Sequence, residues 1–363
     1  MVDDGDLVAA ESRKPLLLRR AIALAERQED LAAAAAGLGP VIIALHDARV
    51  AAEHVAAVRS VVLDALTRRL VELAIRDAGP PPAPFTWFAL GSLARREAVP
   101  SSDVDSALAW AGTGNGPSSG AAGYLARLAG AVDAGLRACG MPPDTHGASA
   151  SNPLFARSLA SWQAAARSLA EDPTREKALI LVSLLADSRP VFSTGPSAGR
   201  GLWPGQASPE HPALLRLLAR FALSFRPPTG FLRNFVVEHS GERRGQLDIK
   251  HGGLIPIVDL ARWAGMAAGV ASASTMERLR AAEAAETMDA TEARTLMEAF
   301  GFIFSLRLDH QVEQLRRGEA PDDFIDPRTL NPLARSYLRE AFRAVASVQA
   351  GLSAELSHGV RWG

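Results

Sequence analysis

Between residues 14 and about 78, apolar positions recur at helical spacing. Leu17, Leu18, Ile22, Leu24 and Ala25 begin one stripe. Val55, Val58, Val62, Leu66, Leu70 and Leu73 form a second, with arginines on its other face. Gly79-Pro-Pro-Pro-Ala-Pro84 then stops the helix and imposes an extended linker, the sharpest boundary in the chain. Beyond it the period changes. Phe85–Leu90 and Val104–Trp110 are short apolar runs that suit buried strands. The glycine- and serine-rich residues 111–120 read as a surface loop, Tyr124–Cys139 as a helix, and Gly140-Met-Pro-Pro as the start of an irregular return.

After Asn152-Pro153 the pattern is helical, with helices expected over about 153–171, 173–187, 209–225, 254–268, 274–285, 291–317 and 332–356. Ser208-Pro209 and Asn331-Pro332 each place a polar cap before a proline at the first helical position. The expected architecture is α+β and mainly helical. It has an N-terminal helical region (1–80), a small mixed-sheet domain (81–150) and a C-terminal helical bundle (151–363). No solenoid-type repeat is present.

Composition supports a folded chain throughout. Hydrophobic residues make up 48% and charged residues 22% of 363, and alanine and leucine favour helix. Net charge is −1, from 39 basic and 40 acidic residues, which argues against nucleic acid as the main partner. Cys139 is the single cysteine, so neither an intramolecular disulfide nor a cysteine-rich zinc site can form. The acidic start is unlike a signal peptide, and no apolar run approaches membrane-spanning length, so a soluble cytoplasmic protein without a membrane partner is expected.

One segment carries chemistry. The first strand ends in Gly91-Ser92, where glycine lets backbone approach a ligand, and a helix starting there would face phosphate with its free N–H groups and the Ser92 hydroxyl. Arg95 and Arg96 would add charge-assisted phosphate contacts. About ten residues on, Asp103-Val104-Asp105 opens the second strand, and strand alternation puts both carboxylates on one face. Two such carboxylates repel unless a cation lies between them. Magnesium (or manganese) meets that need, taking one or two protein carboxylates together with triphosphate oxygens. Either half of this pattern alone is an ordinary turn or strand start; joined between two apolar strands they point to an active site.

Gly91-Ser92-x-x-Arg95-x-Glu97 with Ser102-Asp103-x-Asp105 resembles the polymerase-β-type nucleotidyltransferase signature, and most closely the DUF294 putative nucleotidyltransferases. These are relatives of protein-PII uridylyltransferase and glutamine synthetase adenylyltransferase. Ala150-Ser-Asn-Pro153 with Ser158–Trp162, Asp187–Val191, Leu247–Ile257, Arg307–Gln311 and Pro321-Asp322 continue the resemblance over about residues 20 to 355. The chain departs from the family's usual Gly-Ser-Glu-Gly-Arg at Leu93 and Ala94. The glycine-rich approach to Ala-Ser-Asn-Pro has become Asp144-Thr-His146-Gly147. CBS or cyclic-nucleotide modules often precede this core in the family, and the chain has no room for them. The family's third carboxylate is not fixed by the motif; Asp144 and Asp187 are the candidates.

Among other residues, Lys250 between Asp248 and Gly252-Gly253 either reaches triphosphate as a point charge or is a solvated turn lysine. Arg189 reads as a structural ion pair with neighbouring Asp187, His310 as a core or capping histidine, and His146 as an incidental loop residue. Trp162, Trp263 and Cys139 read as core.

The resemblance implies magnesium-dependent transfer of a nucleoside monophosphate from a nucleoside triphosphate to an acceptor, with release of pyrophosphate. Likeness to the PII-modifying enzymes makes a protein hydroxyl the expected acceptor. The alternative is a regulatory nucleotide-binding protein, weak or inactive in catalysis, in keeping with Leu93, Ala94 and the unplaced third carboxylate. A DNA-repair polymerase is disfavoured by the neutral charge.

Overall fold

The computed structural model describes residues 15–112, 120–142, 147–171, 178–195, 202, 212–228, 243–270 and 274–357. They fall into two compact units. One comprises Met1–Arg167, Leu184–Pro204 and Leu315–Gly318; the other comprises Ser168–Ser183, Gly205–Gln314 and Glu319–Gly363.

The first unit opens with α1 (15–24), α2 (Gln28–Ala35), α3 (Leu38–Asp47) and the long α4 (Ala52–Ala78). The stretch Gln28–Asp47 is apolar and long enough to cross a membrane by composition, which the hydropathy reading had not flagged, and 33% of it is buried. Its backbone breaks around Gly37 into α2 and α3. In α4 the expected stripe is buried at Val55, Val62, Leu66, Leu70 and Leu73, but the opposite face is not simply solvated. Arg59 is 3% exposed and donates to the carbonyls of Pro100 and Ser102 at 3.4 Å each. One arginine outside the apolar stripe therefore braces the loop before Asp103.

α4 ends at Gly79, and the proline linker leads into β1 (Phe85–Leu90), α5 (Gly91–Ala94), β2 (Ser106–Trp110) and α6 (Gly120–Ala138). Every residue of β1 and β2 is buried, as continuous apolar runs require in central strands. α6 packs closely on α4. A β-carbon at Gly135 would lie 2.4 Å from Leu70 Cδ2, so glycine sets that approach.

β3 (Ala156–Ser158), α7 (Leu159–Glu171, its last residues in the second unit), α8 (Ala178–Ala186, mostly in the second unit) and β4 (Ser188–Ser193) follow. The sheet order is β3-β2-β1-β4, with β1 antiparallel to β2 and β4, and β2 parallel to β3. The architecture is thus mainly helical α+β around a small mixed sheet. Two strands correct the periodicity reading. Ala156–Ser158 was expected inside a helix, and Ser188–Ser193 was not expected as a strand at all. Pro190 hides the latter, because proline removes a ladder donor. β4 tolerates it as an edge strand with a bulge: Trp87 faces Phe192 and Phe88 faces Pro190, leaving Val191 as the extra residue. The Val191 carbonyl is taken by Arg68 Nε at 2.6 Å. Trp162 is core as expected, fully buried and donating to the Leu108 carbonyl at 2.8 Å.

The second unit contains α9 (Pro212–Ala222), a two-stranded ribbon of β5 (Leu247–Asp248) and β6 (Phe324–Ile325), α10 (Ile255–Ala267), α11 (Thr275–Ala284), α12 (Ala290–Arg316, its last residues in the first unit) and α13 (Pro332–Ser357). α10 is buried from Pro256 through Met266 and is the central helix, packed by α9 and α11. The caps act as their residue types require. Ser274 and Glu277 form a reciprocal capping box, and Asn331 Oδ1 accepts from Ala334 N at 2.8 Å. Ser208-Pro209 lies outside the described residues.

Candidate functional site

β1 passes straight into the single turn of α5. Gly91 makes the corner with φ +55°, a left-handed conformation that L side chains resist. Its N–H donates to the Asp187 carbonyl at 2.9 Å, so the first amide of the turn is already taken. Ser92 follows, half-buried. The turn closes as a Schellman motif, with Arg96 N on Leu93 O at 3.2 Å and Glu97 N on Ser92 O at 2.8 Å. Arg96 holds the left-handed position, φ +62°, with its side chain exposed.

Asp103-Val104-Asp105 is extended chain entering β2, and Leu90 N donates to the Asp105 carbonyl at 3.0 Å. Asp103 and Asp105 are half-buried while Val104 between them is 8% exposed, the alternation of an extended segment. Asp105 lies against the glycine corner: a β-carbon at Gly91 would meet its Oδ2 at 2.8 Å. The Gly-Ser turn and the Asp-x-Asp segment, some ten residues apart in sequence, are thus brought together.

The two neighbouring arginines separate. Arg95 is buried between two carboxylates, Glu97 Oε2 at 2.7 Å and Asp187 Oδ2. Asp187, a candidate third metal carboxylate, is adjacent to the turn through its carbonyl, but its side chain is 1% exposed and engaged with Arg95. Asp144 and His146 lie outside the described residues. Arg189 does not pair with Asp187 as its sequence position suggested. It spans instead to Asp64 on α4, with two bonds of 2.9 Å. Asp64 escaped the sequence reading, although an acid inside the apolar run Val61-Val-Leu-Asp-Ala-Leu66 was a signal that something basic waits for it.

The Ala-Ser-Asn-Pro segment and the residues leading into it are tied to Ser106, the first residue of β2. Ser106 N donates to Ala148 O at 2.8 Å, Ala150 N to Ser106 Oγ at 3.0 Å, and Asn152 Nδ2 to Gly147 O at 2.7 Å.

The donor set fits a hard divalent ion: two half-buried carboxylates, with water and phosphate oxygens to complete the shell. Among the described residues no group of three or more histidines, cysteines or acids is placed to hold a metal.

In the second unit, Lys250 begins a π-helical turn, Lys250–Leu254, that runs into α10. Beside it His251 Nδ1 lies 2.8 Å from Asp248 Oδ2. The carboxylate bond raises the histidine pKa. Burial pushes Asp248 up, but the ring and backbone bonds from His251 outweigh it and hold it below the usual carboxylate range. His310, expected as a core or capping residue, is half-buried and shares Asp322 with Arg243.

A strand turning through Gly-Ser into one helical turn, beside a strand entered through Asp-x-Asp, is the frame of the nucleotidyltransferase class. Residues 36–176 match the family model described as putative nucleotidyltransferase DUF294, and residues 212–356 match the putative nucleotidyltransferase substrate binding domain. Together these matches span most of the chain, and the protein belongs to this family. No curated protein matches it.

Proposed function

We propose that the protein transfers a nucleoside monophosphate, UMP or AMP, from its triphosphate to a protein hydroxyl in the cytoplasm. The acceptor oxygen attacks the α-phosphorus, the bond to the bridging oxygen breaks, pyrophosphate leaves and the hydroxyl proton passes to a base or solvent. The observation that supports this reading is Asp105 seated against the Gly91 corner, with Asp103 half-buried two residues before it. Family membership adds to it.

Asp103 and Asp105 would hold magnesium (or manganese), which supplies charge neutralisation to the triphosphate when bound. The amides of Ser92 and Leu93 and the Ser92 hydroxyl bind phosphate oxygens. Arg96, exposed at the end of the turn, offers charge to the same oxygens. Arg95, held by two carboxylates, orients the turn from beneath.

The test is a double substitution, Asp103→Asn with Asp105→Asn. Calorimetry with each ribonucleoside triphosphate should show magnesium-dependent binding to the wild type and its loss in the folded variant. Labelled triphosphate incubated with the protein and a cell extract should label a protein only with wild type. Equal affinity in both proteins overturns the metal assignment.

One observation favours a second reading, a nucleotide sensor without turnover. Asp187 is engaged with Arg95, and no third carboxylate joins the pair among the described residues. Binding without pyrophosphate release would select it.

A further inference from the structure

The carbonyls of α5 account for themselves almost completely. Gly91 O accepts from Arg95 N, Ser92 O from Glu97 N, and Leu93 O from Arg96 N. Ala94 O is the fourth, and it accepts from Arg189 Nε at 3.2 Å, while Arg189 Nη2 adds a bond of 3.1 Å to Leu93 O. The same guanidinium is fixed from behind by Asp64, Nη1 to Oδ2 and Nη2 to Oδ1 at 2.9 Å each. The side chains of Arg189 and Asp64 are 15% and 6% exposed. One planar fork thus joins the middle of α4, strand β4 and the end of the Gly-Ser turn.

We propose that Arg189, held by Asp64, is a positioning residue for that turn: it fixes the C-terminal carbonyls of α5 and so the direction in which Ser92 meets a phosphate. A single turn has almost no internal rigidity, because its nucleus costs more order than its few hydrogen bonds return. Besides the clamp, the turn is held at Gly91 by the Asp187 carbonyl and at Arg95 by the Glu97 and Asp187 carboxylates. Without the clamp, Ala94 O would be left unbonded at a buried site, and the turn would relax toward water. The guanidinium also places positive charge at the negative end of the turn. Lysine cannot replace it, having no fork to span a carboxylate and two carbonyls together. The clamp itself rests on geometry alone; its consequence for nucleotide rests on the proposed function.

The experiment uses the full chain and two variants. Arg189→Met with Asp64→Leu removes both charges at similar volume, so no orphan ion remains to unfold the protein. Arg189→Lys keeps the charge without the fork. Amide hydrogen exchange is followed at Arg95, Arg96 and Glu97, whose N–H groups close the turn, with β1 and α4 as internal references. The expected result is at least ten-fold faster exchange at those three amides in the double variant, with β1 and α4 still protected. Arg189→Lys should give a smaller increase. Affinity for magnesium with ATP or UTP should fall at least ten-fold in the double variant while the melting temperature moves by a few degrees. Unchanged exchange at the three amides in the folded double variant overturns the clamp. If wild type binds no triphosphate, the transferase reading fails while the exchange result still decides the clamp.

Discussion

A β-carbon at position 91 would stand 2.8 Å from Oδ2 of Asp105, so any side chain at position 91 and the Asp105 carboxylate compete for the same space. Gly91 is expected from the sequence to let backbone approach phosphate; its missing side chain also leaves room for the Asp105 carboxylate. Gly91→Ala should therefore do two things. It should cost about 1–2 kcal/mol through the left-handed φ, and it should displace Asp105 and weaken magnesium-dependent nucleotide binding. Thermal melts and calorimetry measure the two separately. A variant that melts lower but binds normally would show that Asp105 has room to spare.

Arg96 invites the opposite substitution. It holds φ +62° in the left-handed region that closes the turn. Arg96→Gly should stabilise the protein by about 1 kcal/mol, once strain relief is set against glycine's greater chain entropy. The same change should reduce triphosphate affinity, as the proposed phosphate charge is lost. Urea unfolding and a nucleotide titration on one preparation check the pair of effects.

Asp187→Asn distinguishes two roles for one carboxylate. As Arg95's partner, its loss leaves a buried guanidinium under-compensated and should lower stability by about 3 kcal/mol. As a third metal carboxylate it would lose transfer and leave stability nearly intact. The buried pairing predicts the first outcome, read from a denaturant midpoint; an unchanged midpoint with lost label transfer would restore the catalytic assignment.

The Asp248–His251 pair gives a pH prediction. His251 has its pKa raised above 6.5, so its share of stability is full below 6.5 and lost as pH rises through the folded value. Asp248 is lowered from 3.8, so its share is present above 3.8 and lost as pH falls through its folded value. The pair thus contributes most between the two ordinary values. In Asp248→Asn the remaining influence of burial should bring the histidine to 6.5 or below, which an NMR titration of the His251 ring would show.

Much of this was legible in the sequence where a residue's partner is close by in the chain. The apolar runs that became β1 and β2, the Gly-Ser corner, the alternation across Asp103-Val104-Asp105 and the helices from α9 onward all follow from local period and turn chemistry. What escaped was non-local. Pro190 masked β4 because the rule against proline in strands does not know which strand lies at an edge. Arg189 was assigned to Asp187, its neighbour, when its partner Asp64 is 125 residues away. Arg95 looked free to reach phosphate because neither Asp187 nor the burial of Glu97 shows in the motif.

The order β3-β2-β1-β4 has a bearing on how the chain must be made. During synthesis Gly91 and Ser92 leave the ribosome roughly a hundred residues before Arg189 and β4, and until then one flank of β1 has no neighbour. An unpaired apolar strand is an adhesive edge. The nascent chain therefore carries an unpaired β1 edge until β4 has been made. Neither unit is one uninterrupted piece of chain, so fragments cut at residue 150 should be recovered as inclusion bodies, and expression of the first unit calls for the whole polypeptide.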